Sequence, residues 1–136
     1  MTTVEENRAL AREFFARFST GNVNGAVDLL GAEVTWWIPG DPAAMPAAGL
    51  YTKDSIAALF GRMVRRLDGT LRMEVLGTTA EDDRVALEVE SHGDLRDGRH
   101  YNNTYHTLMR IADGYIREVR EYSDSHHAYR TWFASA

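Results

Sequence analysis

Two short turn signals in the C-terminal half constrain this chain more than any other feature. Asp113-Gly114 is a two-residue hairpin turn by composition, since both residue types tolerate the positive φ such turns require. It joins residues 100–112 to residues 115–125, two stretches in which apolar and polar side chains alternate. Arg96-Asp97-Gly98-Arg99 is a second turn, joining residues 84–95 to the same middle strand. Residues 71–76 form a further short strand, followed by a turn at Glu81-Asp82-Asp83. The second half of the chain is therefore expected to be an antiparallel meander.

Pairing across the two turns predicts which side chains share a face. With the first turn centred on residues 97 and 98 and the second on 113 and 114, three rows form: His92–Asn103–Asp124, Glu90–Tyr105–Tyr122 and Glu88–Thr107–Arg120. Met109 then faces Glu118, while Leu87, Val89, His106, Leu108 and Val119 fall on the opposite face, with Ser91, Thr104, Arg117, Glu121 and Ser123 among them. A bulge in any of these strands would swap the faces beyond it. The polar face has two readings: a solvated surface, or a buried polar patch that must be paired or put to use.

The first half is mainly helical. Leu10, Ala11, Phe14, Phe15 and Phe18 recur at helical spacing after a Thr3/Glu6 capping box, and Gly21 ends the run. A short helix is predicted over 24–30, a strand over 33–38 closed by Pro39-Gly40, and a helix after Thr52 with Ile56, Leu59, Phe60, Met63, Val64 and Leu67 on one stripe. Residues 39–50, small and apolar with three prolines, form a long loop suited to lining or covering something. Helices followed by a meander define an α+β class, and 136 residues suit one domain over 1–136.

Charge and composition exclude several functions. Fifteen lysines and arginines against twenty aspartates and glutamates give a net charge of −5, which argues against nucleic acid and anionic membrane surfaces as partners. No apolar run is long enough to span a bilayer. The polar, acidic residues 1–7 do not resemble a secretory signal, so a cytoplasmic location is expected. Without cysteine there is no disulfide or thiolate chemistry. The adjacent His126 and His127 lack metal-ligand spacing, His100 and His106 read as surface residues, and no phosphate loop, nucleophile elbow or dinucleotide fingerprint occurs. No metal and no cofactor are expected.

Three segments carry a resemblance: 34–40 (VTWWIPG), 101–106 (YNNTYH) and 113–124 (DGYIREVREYSD). Together with the order of elements over about residues 4–129, they resemble the nuclear transport factor 2-like superfamily, and within it the SnoaL-like polyketide cyclases and relatives of ketosteroid isomerase and limonene-epoxide hydrolase. The resemblance implies a cone: a strongly curved antiparallel sheet with the three N-terminal-half helices over its concave face. It also implies a homodimer through the outer sheet face and a small hydrophobic ligand in the cone. The expected function is cofactor-independent acid–base isomerisation or cyclisation of a polyketide-like or cyclic substrate. Epoxide opening and a non-catalytic binding or dimerisation module are the alternatives.

In that frame Asp124 occupies the place of the family's active-site carboxylate, and His92 beside it could move a proton near neutral pH. The plain alternative has Asp124 capping the tail or binding Asn103, with His92 on the rim. Trp36, Tyr51, Glu90, Asn103, Tyr105, Arg120 and Tyr122 are the candidate substrate-binding residues. Trp36 and Trp37 alternate, so one faces the pocket and the other away. The first helix offers phenylalanines where ketosteroid isomerase carries a tyrosine, which argues against steroid isomerisation. The Asp-Arg-Asp constellation of the epoxide hydrolase would need Glu90 or Asp94 as its second acid.

Overall fold

The computed structural model describes residues 2–135. Helix α1 (Val4–Ser19) starts at the expected capping box, with Thr3 Oγ1 accepting from the Glu6 N–H and the Glu6 carboxylate accepting from the Thr3 N–H. It buries Ala11, Phe14, Phe15 and Phe18 and ends at Gly21, whose φ of +87° suits glycine. A short α2 (Val23–Val27) and strand β1 (Leu30–Ile38) follow, then the proline-containing loop, β2 (Gly49–Tyr51) and α3 (Lys53–Arg66). The meander consists of β3 (Arg72–Glu81), β4 (Arg84–Asp94), β5 (His100–Tyr101), β6 (Thr104–Ala112) and β7 (Tyr115–Ser123). The tail residues Tyr129 and Trp132 belong to a helix, α4 (Ser125–Trp132).

The sheet runs β2-β1-β7-β6-β4-β3, with β5 pairing beside β6 on β4. It is curved and unclosed. It is also mixed: β1 lies parallel to β7, so the N-terminal strand completes the meander from its far side. Phe14, Phe18, Trp36 and Phe60 form one aromatic cluster between helices and sheet, with ring centroids 5.0–6.3 Å apart. Each such pair adds about 1 kcal/mol beyond the area it buries. No helix among the described residues is long and apolar enough to cross a membrane.

The register differs from the expected one at both hairpins. At the first, the Leu95 N–H donates to the Arg99 carbonyl and Gly98 has a φ of +93°, so the loop holds Arg96, Asp97 and Gly98 and is centred on Asp97 alone. Val89 therefore faces Tyr105, and Glu90 faces Thr104. At the second, the tip is as expected, with Ala112 opposite Tyr115 and positive φ at Asp113 and Gly114. A bulge follows: Ile111 pairs with Ile116 but Arg110 pairs with Glu118, which leaves Arg117 as the extra residue. Thr107 consequently faces Glu121 and Tyr105 faces Ser123.

Each slip is one residue, and each turns a neighbouring strand over relative to β6. The three polar rows predicted above do not form. Tyr105, Thr107 and Met109 do face inward, but alongside Leu87, Val89 and Ser91 of β4 and Val119, Glu121 and Ser123 of β7. Glu88, Glu90 and His92, with Arg120 and Tyr122, fall on the outer face.

Candidate functional site

The helices and the concave sheet face enclose a cavity of about 240 Å³. Its walls are mostly aromatic and aliphatic, Phe14, Phe18, Trp36, Phe60, Met63 and Met73 among them. The proline-containing loop contributes Met45 and Ala47, so it does line the space it was expected to cover. Tyr51 holds that loop by donating its hydroxyl to the Ala47 carbonyl at 2.7 Å.

One carboxyl group borders this apolar space. Glu121 projects inward from β7, two residues beyond the fully buried Val119 and opposite Thr107. Its Oε1 accepts from the Trp36 indole N–H at 3.2 Å, its one hydrogen bond among the described residues. No cation there forms an ion pair with it. Burial without a counter-charge pushes the carboxyl up to about 7, and the Trp36 bond only partly opposes this. At neutral pH such a group exchanges protons readily in either direction.

A hydroxyl chain lies on the same wall. Asn103 Nδ2 donates to the Tyr101 hydroxyl at 3.0 Å, the Tyr101 and Tyr105 hydroxyls are 2.5 Å apart, and Tyr105 reaches Ser91 Oγ at 3.4 Å. Burial raises both phenols, Tyr101 to about 12 and Tyr105 well above its ordinary value, so both remain protonated donors. The Trp132 indole packs edge-on against the Tyr101 ring, with centroids 5.1 Å apart, and its buried N–H has no hydrogen-bond partner among the described residues. The charge of Glu121 acts on both tyrosines.

The other predicted residues are distributed as follows. Asp124 is exposed and N-caps α4, accepting from the His127 N–H at 3.1 Å. The structure thus places it as in the plain alternative and does not bring it to His92. Replacing Asp124 with Ala is expected to cost about 1 kcal/mol and with Asn almost nothing, because both Asp and Asn cap well. Urea denaturation of the two variants checks this. Asn103 is fully buried and braces the backbone between β6 and α4. Trp36 faces the cavity. Trp37 faces outward, where the Arg120 guanidinium stacks on it at 4.3 Å and also donates to the Tyr122 hydroxyl at 3.2 Å.

His92 lies on the outer face with Glu74 and Glu90, their ligand atoms within 4.8 Å of one another. The Asn102 amide, fixed by the Ser91 carbonyl at 2.8 Å, donates to His92 Nδ1 at 3.1 Å. The proton of the neutral ring therefore resides on Nε2, which faces both carboxylates at 3.5 Å. A metal would need that nitrogen bare. The geometry instead suits charge sharing between two acids that face each other across β3 and β4.

The SnoaL-like domain family matches residues 11–119, four-fifths of the chain. The chain belongs to the SnoaL-like family. Among curated proteins none matches it by sequence. Solved structures of similar fold include Bal32a from a soil-derived mobile gene cassette, at 23% identity and a TM-score of 0.82 over 95% of this chain and 98% of that one. An NTF2-like protein from Burkholderia pseudomallei gives 16% and 0.81 over 98% and 100%. TerC, co-crystallised with polyporic acid, gives 15% and 0.79 over 93% and 97%. At these identities the likeness is one of fold. In this SnoaL-like domain the cavity carboxylate, Glu121, had been expected on the face opposite Tyr105. A signal for it was present: Ile116 and Val119 are both apolar yet three residues apart, so a strand can bury both on one face only where its alternation is broken.

Proposed function

We propose that this SnoaL-like domain is a cofactor-independent acid–base enzyme acting on a small hydrophobic, carbonyl-bearing substrate. The observation that carries this reading is the Glu121 carboxyl, held near pH 7 by burial at the polar wall of an apolar cavity. As a carboxylate, Glu121 takes a proton from the carbon next to a substrate carbonyl. The electron pair moves onto the carbonyl oxygen and leaves an enolate. Tyr105, its hydroxyl backed by Tyr101, donates to that oxygen. Glu121, now neutral as its surroundings favour, returns the proton to a second carbon for isomerisation. In a cyclisation the enolate carbon instead attacks an internal carbonyl, and the proton goes to the new alkoxide. TerC, of the same fold, was co-crystallised with polyporic acid, which supports a small organic molecule as the ligand.

The test requires no knowledge of the natural substrate. Exchange of α-hydrogens for deuterium in β-tetralone and related fused-ring ketones, followed by NMR in heavy water, reports the first step alone. The wild-type rate is expected to rise with pH through about 7 and then level off, as the raised carboxyl ionises. Glu121→Gln is expected to lose catalysed exchange, and Tyr105→Phe to slow it roughly 100-fold. Ketones that bind without accelerated exchange would make the domain a carrier of hydrophobic ligands instead.

A further inference from the structure

The same cavity carries a feature that acid–base chemistry leaves unused. Arg62 borders the cavity from α3, on the same side of the helix as Met63 and Arg66. Arg66, four residues on, is occupied: its guanidinium donates to the Trp132 carbonyl and lies 5.4 Å from the centre of the Trp132 ring. Arg62 has no hydrogen bond and no ion pair among the described residues. Other arginines without such contacts are Arg12, Arg65, Arg84 and Arg130, and none of these borders the cavity. The helix dipole does not account for Arg62 either, because the last turn of α3 holds Arg65 and Arg66. Like charges four residues apart on a helix repel, so the Arg62–Arg66 pair is mildly unfavourable until an anion arrives.

Arg62 and the carboxyl both border the cavity, and no ion pair joins them among the described residues. The Tyr51 phenol, which anchors the loop, lies within reach of both charges: burial raises it, the Arg62 guanidinium partly opposes that, and the Glu121 carboxylate adds to it. A ligand bordering both would be apolar along its body, with an acidic group at one end and its reacting carbon at the other. Building on the acid–base reading of this cavity, we infer that the substrate is an amphiphile whose carboxylate or similar anionic group pairs with Arg62 while its carbonyl-bearing end lies against Glu121 and Tyr105. The planar guanidinium offers paired donors to such a group. Arg62 is then a specificity-determining residue.

Two fluorescent probes of matched shape test this: anilinonaphthalene sulfonate, and phenylnaphthylamine, which has the same rings without the sulfonate. Titrated into the full chain at neutral pH and low salt, the sulfonate is expected to bind at least 10-fold more tightly. Arg62→Gln is expected to remove that preference and leave the neutral probe unchanged, with Arg62→Lys restoring part of it. Met63→Trp, which fills the cavity, is expected to release both probes. Equal affinity of the wild type for the two probes would overturn the inference while leaving the acid–base reading standing. So would an unchanged preference in Arg62→Gln, or probes retained by Met63→Trp. Failure of the wild type to bind either probe would overturn both.

Discussion

Glu121→Gln is expected to be more stable than the wild type at pH 8 by about 3 kcal/mol, and equal to it near pH 4. The sign follows from the direction of the shift. In the unfolded chain the Glu121 carboxyl ionises near 4.5, whereas in the folded chain burial delays ionisation to about 7. Between those values the folded state holds a proton that the unfolded state has released, so stability falls as pH rises and levels off above 7. Glutamine is neutral throughout, and its side-chain oxygen can still accept from the Trp36 indole N–H. Urea denaturation followed by tryptophan fluorescence, from pH 4 to pH 8.5, measures the gap. Parallel curves for the two proteins would mean that the carboxyl is as well solvated when folded as when unfolded, and its proposed role would fall with the shift. A gain in stability with a loss of proton exchange is the pattern expected where a site is kept poor for folding and useful for chemistry.

Asn103→Ala is expected to cost about 4 kcal/mol, more than any surface change in this molecule. The side chain is wholly inaccessible and makes four hydrogen bonds. Its Nδ2 donates to the Tyr101 hydroxyl and to the Asp124 carbonyl at 3.1 Å. Its Oδ1 accepts from the Thr104 N–H at 2.8 Å and the Asp124 N–H at 3.3 Å. Alanine would remove the partner that the backbone groups of Thr104 and Asp124 have in Asn103 and leave a void where its buried amide sat. The groups concerned also join β6 to the start of α4, which packs Ala128 and Trp132 into the cavity wall. Hydrogen exchange in α4 should accelerate in the variant well before the amides of β4 and β6 are affected. A cost under 1 kcal/mol would show that α4 is held by its apolar contacts alone.

The helices were legible because their signals are local. Thr3 and Thr52 cap where capping residues stand, and the stripes of Phe14, Phe15, Phe18, Ile56 and Phe60 point to the core as their spacing requires. The Asp113-Gly114 turn was legible for the same reason. The face assignment depended instead on counting, and counting fails by one wherever a loop takes a third residue or a strand bulges. Tyr105 kept its expected face because it lies on the middle strand, to which the others were referred; Asn103, in the break just before that strand, is buried as well. His92, Glu90, Arg120 and Tyr122 lie on strands whose parity moved. The alternation of β4 carried a correction, since Val85, Leu87 and Val89 are apolar at odd positions and Glu88, Glu90 and His92 polar at even ones. The parallel seating of β1 against β7 had no comparable trace, because no turn connects them.

Arg117, the unpaired residue in the bulge of β7, sets the phase for everything between it and the chain's end. Were Arg117 drawn into the ladder instead, with the bulge smoothed out and no residue lost, the strand would turn so that Tyr122 and Arg120 took the inward positions and Glu121 met solvent. In a lineage built on this sheet, a proton-transfer group can therefore be retired or recruited by the loss or gain of a bulge rather than by a change of its own residue. Comparison of relatives by matched columns would then record an identical glutamate in two proteins where only one of them can use it.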